Sequence, residues 1–253
     1  MENQSLKMYE IFEVCTLAGK IMLQNGAETY RVEDTMKRIA ASYGILESNS
    51  FVTPTGLIFS LEKSGEVKTK MIRINDRTTN LEKVTKVNSI SRDISNGEVS
   101  VQEAQRLLKE VNAAKATYPL SVQIGAAALS SGCFVIMFQG TWSDFLPALL
   151  AGGIGFLCLT YFHYLVPIKF FSECLASFII GIVAYFFVKM GFGDEIDKII
   201  IGSVMPLVPG VLITNAVRDL MAGDLVSGLS KGAEAFLTAF AIGTGVAIVF
   251  LLL

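Results

Sequence analysis

Between Ala116 and Ile168 the chain carries a single formal charge, Asp144. A run of that kind has few places to go. About 20 consecutive apolar residues cross the hydrocarbon of a bilayer, and the backbone there must be paired inside helices or a closed barrel. The mean hydropathy of +0.52 conceals two unlike halves. Residues 1–118 hold sixteen of the twenty-one Lys+Arg and fifteen of the twenty-three Asp+Glu, which leaves five and eight for the rest. The expected architecture is a membrane protein: an N-terminal cytoplasmic α+β domain over 1–118, then an α-helical five-span transmembrane domain over 119–253. The spans fall at about 119–139, 145–165, 171–189, 197–217 and 232–253.

The first half reads as helices around a small sheet. Tyr9, Phe12, Val14, Leu17, Ala18, Ile21 and Met22 follow helical spacing up to a stop at Asn25-Gly26. A second helix is expected from Thr29 to about Tyr43, with Val32, Met36, Ile39 and Ala40 inward and Gly44 as its cap. Phe51–Leu61 and Lys68–Ile74 are β-rich, with a break at Thr53-Pro54-Thr55-Gly56 and a polar turn over Glu62–Glu66. Helices over about Leu81–Ser95 and Val101–Ala116 follow, the latter opened by Ser100 and Glu103 as a capping box.

The fourth span is the unusual one. In IIIGSVMPLVPGVLITNAVRDLMAGDLVSGLSKGAE, residues 199–234, a charge-free apolar run is interrupted by Pro206, Pro209 and Gly210 and then resumes. Two prolines remove backbone donors and break the helical ladder. Broken helices at membrane depth belong where backbone is buried in protein or lines a wet cavity, as in transporters. The inner half-helix, starting near Gly210, presents amides and a positive dipole end that favour a carboxylate by about 0.3–2 kcal/mol. Asn215 and Arg218 follow on the same segment, and a guanidinium clamps a carboxylate bidentately. Pro206, Pro209, Gly210, Asn215 and Arg218 are therefore the candidate substrate-binding residues, and Asp219, Asp224 and Glu234 the candidates for gating or proton coupling. The plainer reading is a proline kink with Arg218 and Asp219 marking the headgroup boundary.

Small residues recur in the spans, at Gly125–Ala128, Ser130–Gly132, Ala151–Gly153 with Gly155, Gly202-Ser203 and Gly243–Gly245, and imply close helix packing or self-association. Basic residues concentrated in the first half set the N-terminus inside, and an odd number of spans then puts the C-terminus outside.

Two segments, GAETYRVEDTMKRIA at 26–40 and MPLVPGVLITNAVRDLMAGDLVSGLSKGAEAF at 205–236, resemble the signature regions of the threonine/serine exporter family in its N-terminal-half form. The resemblance covers nearly the whole chain. It implies efflux of a small amino acid such as threonine or serine, or of a dicarboxylate such as succinate, across the cytoplasmic membrane. It also implies a small membrane partner that resembles the family's C-terminal half. A five-span unit is half of an inverted repeat, so a partner or a second copy is expected to complete the path. Glu28 and Arg31, in the first signature, are the candidate contacts between the soluble domain and the membrane exit. The plainer reading of this segment is a helix start, with Glu28, Glu33 and Asp34 complementing the dipole.

Other chemistries find little support. The cysteines at 15, 133, 158 and 174 show no CxxC spacing, no metal site or cofactor is indicated, and no nucleotide fingerprint or basic nucleic-acid stripe occurs. MENQSLKMYEIFEVC does not read as a cleavable leader. Gly191-Phe192-Gly193-Asp194 matches the short pattern of intramembrane aspartyl proteases, which need a second buried aspartate. A transporter subunit is the leading expectation, a regulatory or assembly subunit the alternative and a protease a remote third.

Overall fold

Alternation in the first strands decides how the N-terminal half closes. The computed structural model describes residues 2–114, 118–166 and 168–252. In it β1 (Glu47–Thr53), β2 (Gly56–Lys63) and β3 (Glu66–Arg73) form an antiparallel meander in the order β1-β2-β3. Leu57, Phe59 and Leu61 of β2 are fully buried, while Ile58 and Ser60 between them face outward. That period of two puts one face of the sheet against helices. Phe59 stacks on Phe12 of α1 (Glu2–Gln24), ring centroids 5.9 Å apart. The sequence run Phe51–Leu61 is thus two strands, turned at Pro54-Thr55 with Thr53 opposite Gly56.

Around the sheet lie α1, α2 (Thr29–Ser42), α3 (Leu81–Ser95) and α4 (Val101–Ala113). Val32, Met36, Ile39 and Ala40 of α2 are buried as their spacing predicts. The Ser100 hydroxyl accepts from the Glu103 N–H at 3.3 Å, but the Glu103 carboxylate turns to Arg106 instead of closing a capping box. These elements belong to the first of two units, Met1–Ala116 together with Val211–Gly232. A short stretch from far along the chain therefore completes the N-terminal unit.

The second unit is Thr117–Gly210 with Ala233–Leu253. It contains α5 (Leu120–Met137), α6 (Trp142–Leu165), α7 (Lys169–Lys189) and α8 (Ile196–Val204), a single 3-10 turn at Met205–Leu207, and most of α10. Close approach at small residues holds it together. A Cβ on Gly152 would run into the Ser131 side chain, one on Gly155 into Ile180, and one on Gly245 into the carbonyl of Cys174. Gly125 and Gly243 have open space instead, so the small residues are not all packing sites. Asp144 is fully buried at the start of α6. It accepts from the N–H and hydroxyl of Thr141 at 3.0 and 2.7 Å and from the N–H groups of Asp194 and Glu195 at 2.7 and 3.1 Å. Those four donors tie the loop after α7 to the start of α6.

Among the described residues, four helices are long and apolar enough to cross a membrane, α5, α6, α7 and α10 (Leu225–Leu252). A fifth crossing results if Ile196–Leu207 and α9 (Gly210–Ala222) are counted as one broken span. The stretch from Arg218 to Lys231, whose charges read as a loop, is helical apart from Gly223 and Asp224. Asp219 and Lys231 pair across that turn and Arg218 pairs with Glu28, and a charge count has no means of seeing that.

Candidate functional site

Two glycines build the site. At the end of α1, Gly26 has φ +88°, with its N–H on the Leu23 carbonyl at 3.4 Å and the Ala27 N–H on Met22 at 3.1 Å. At the end of α9, Gly223 has φ +91°, with its N–H on Leu220 at 3.1 Å and the Asp224 N–H on Asp219 at 2.9 Å. Both are left-handed helix endings of the Schellman type, which glycine adopts without a Cβ clash. The first bends the chain into α2. The second folds α9 back on α10, so that Asp219 and Lys231 face each other.

The resulting cluster lies entirely within the first unit. Lys231 Nζ donates to Asp219 Oδ2 at 2.7 Å and to the Ala27 carbonyl at 3.3 Å, with both charged side chains buried. The other oxygen, Asp219 Oδ1, accepts from the Thr29 N–H at 3.0 Å. Thr29 is the first residue of α2, and Glu28 before it makes no side-chain cap of its own. Asp219 thus supplies, from 190 residues away, the anion that the orphan amides of this helix start require. Asn215 Nδ2 donates to the Gly26 carbonyl at 2.8 Å, and the Thr29 hydroxyl reaches Asp224 Oδ2 at 3.4 Å.

Glu28 is the second anchor. Arg218 Nη1 lies 2.6 Å from its Oε1, and Arg31 Nη1 lies 3.2 Å from its Oε2. Burial works to raise the Glu28 carboxyl, but its backbone N–H, the Arg218 hydrogen bond and the charges of Arg31 and Arg218 outweigh burial. Together they hold its pKa below the ordinary carboxylate value. Glu33, one turn along α2, is pushed the other way. Burial raises it, and the nearby Asp224 charge adds to that, against a hydrogen bond from the Val52 N–H at 2.9 Å. On α10, the Ser227 hydroxyl donates to the Val52 carbonyl at 3.2 Å.

The residues singled out in the sequence separate into two groups. Asn215, Arg218, Asp219 and Asp224 converge with Glu28 and Arg31 in the first unit. Pro206 sits in the 3-10 turn, Pro209 follows it, and Gly210 opens α9 with its N–H on the Val208 carbonyl at 2.8 Å; these three fall in the second unit, as does Glu234. Lys231, Thr29 and Ser227 were not among the expected site residues. For Lys231 a signal existed: it follows Asp219 at a distance that a turn at Gly223-Asp224 folds face to face. In the Gly191–Asp194 stretch, Asp194 accepts from the Ser143 hydroxyl at 2.6 Å and its N–H is bonded to Asp144. The carboxylate of Asp144 is saturated by donors, which is the chemistry of a structural anchor.

A family model described as "Putative threonine/serine exporter" matches residues 13–253. The "Probable succinate transporter subunit YjjP" of Klebsiella aerogenes is 24% identical over 97% of this chain and 95% of its own length. Its namesake in Escherichia coli is likewise 24% identical, over 96% of this chain and 94% of its length. The "Threonine/serine exporter" of Corynebacterium glutamicum is 21% identical over 93% of this chain but only 50% of its own length. No solved structure matches the chain. The relatives carry the names of transporters, not enzymes, and the apolar helices are those of an integral membrane protein.

Proposed function

The chain belongs to the threonine/serine exporter family, and from that premise we propose that it is one subunit of a two-part secondary exporter of a small carboxylate. The observation that carries this reading is the similarity, over 97% of the chain, to a relative named as a transporter subunit. The chain aligns end to end with relatives named as transporter subunits, and with about half of a relative named as an exporter in its own right. A separate small membrane subunit, resembling the C-terminal half of the fused exporters, would complete the path. In this reading the N-terminal domain is cytoplasmic, the membrane domain has five spans with the fourth broken at Pro206–Gly210, and the C-terminus faces out of the cytoplasmic membrane.

Substrate handling is assigned as follows. Arg218, near the end of α9, binds the substrate's carboxylate, and the break at Pro206, Pro209 and Gly210 ends the outer half of the fourth span. Arg218 suits that role because its side chain is 55% exposed although one nitrogen is bonded to Glu28. Asn215 is buried and its amide is committed to Gly26, so it acts by holding the first signature segment in place. Asp219 and Asp224, with Glu234 further along, respond to the proton or to substrate passage. A dicarboxylate such as succinate and a small amino acid such as threonine are the two substrate classes.

Reconstitution of the chain with its partner in proteoliposomes tests the proposal. Export of succinate, threonine or serine is expected from the pair, and Arg218→Ala is expected to lose it while still inserting and folding. Full transport by that variant would remove Arg218 from the path. A second reading, a regulatory subunit, draws support from the polar cluster's place in the unit that contains the sheet. It predicts that the partner alone transports at the full rate.

A further inference from the structure

Two arginines from distant parts of the sequence end on the two oxygens of one carboxylate. Arg31 Nη1 takes Glu28 Oε2 and Arg218 Nη1 takes Glu28 Oε1. The anchor is buried, with 6% of its side chain exposed, whereas the arginine side chains are 41% and 55% exposed. Each guanidinium has five N–H donors in a rigid fork, and Glu28 occupies one nitrogen of each. Two cations share one anion, so the triad keeps a net positive charge at the surface. Two of the neighbouring acids are paired with cations and two accept from neutral donors. Asp219 is held by Lys231 and the Thr29 N–H, Asp224 meets the Thr29 hydroxyl, Glu33 accepts from Val52, and Asp34 pairs with Arg38 at 3.9 Å.

We propose that Arg31 and Arg218, set side by side by Glu28, form a binding site for a small dicarboxylate, one carboxylate to each guanidinium. This rests on the exporter reading for the ligand's role as substrate and narrows its class. A monocarboxylate uses one fork and leaves the other solvated. A zwitterionic amino acid brings an ammonium to two cations, and Glu28, the anion that would receive it, is already bonded on both oxygens. Arg31 becomes a ligand-binding residue, and Glu28 becomes the group that spaces the two forks.

Calorimetric titration of the purified full-length chain in nanodiscs, with succinate as the probe, tests the site. Succinate is expected to bind, and to bind more weakly as salt rises. Arg31→Gln and Arg218→Gln are each expected to lower the affinity by about tenfold or more, and butyrate and serine to bind about tenfold more weakly than succinate. Arg31→Lys and Arg218→Lys keep a charge against Glu28 but lose the planar fork, so a clear loss is expected there too. Absence of succinate binding overturns the proposal. So does binding within about twofold of the unmodified chain in the Arg31 variants, or serine or inorganic phosphate binding as tightly as succinate. Export that survives intact in Arg31 variants removes this site and leaves the exporter reading standing. Succinate binding by a complex that exports nothing does the reverse.

Discussion

Lys231 and Asp219 form a buried ion pair whose remaining valences go to backbone, one to Ala27 and one to Thr29. Removing one member of such a pair leaves a buried charge without its counter-charge, at a cost of about 3–5 kcal/mol. Lys231→Met is therefore expected to destabilise the first unit by about that amount, read as a lowered denaturation midpoint, while the double variant Lys231→Met with Asp219→Leu should recover part of the loss. A Lys231→Met protein as stable as the unmodified one would show that the pair contributes nothing. Glu28 carries a pH signature of definite sign. Its folded pKa lies below the unfolded value, so its contribution is present above the unfolded pKa and is lost as pH falls through the folded one. Glu28→Gln should flatten the acid limb of a stability-versus-pH curve and leave the neutral limb's slope unchanged. An acid limb as steep as before would place the relevant titration elsewhere.

At the scale of elements, the two glycine-ended helices govern the cluster. Gly223→Val forces a branched side chain into a left-handed conformation and is expected to cost at least about 1 kcal/mol, with the Lys231–Asp219 contact weakened at the same time. Hydrogen exchange at the Thr29 amide, which Asp219 accepts, is the local readout; unchanged protection there would uncouple the turn from the cluster. The helices of the first half were legible because their apolar spacing is regular, as Val32, Met36, Ile39 and Ala40 illustrate. Asn215, Arg218 and Asp219 were legible as residues costly to keep in an apolar run. Their partners were not, since nothing local in the sequence says that Asp219 will cap a helix 190 residues earlier. The helix of the last span begins at Leu225, ahead of the charged residues that suggest a later start, because Lys231 reads as solvated until Asp219 is brought across from it.

On the scale of the whole molecule, the first unit is assembled from Met1–Ala116 and Val211–Gly232. A fragment ending at Ala116 lacks Asp219, Arg218 and Asn215, so the bend at Gly26–Thr29 loses each of its acceptors and donors from α9. Such a fragment is expected to be cleaved by a nonspecific protease at that bend, under conditions where the full chain resists. Equal resistance would mean that the N-terminal portion closes without the later segment.

The same discontinuity has a consequence in time. During synthesis the helix start at Thr29 leaves the ribosome with its amide and one oxygen of the Glu28 carboxylate unmatched. The residues that complete it emerge only after the whole of Thr117–Gly210 has been made. Non-local closure of that kind is slow, and partly closed intermediates expose surfaces that associate wrongly. Closure of the N-terminal unit is then a late event, completed only once every helix before Val211 has been made.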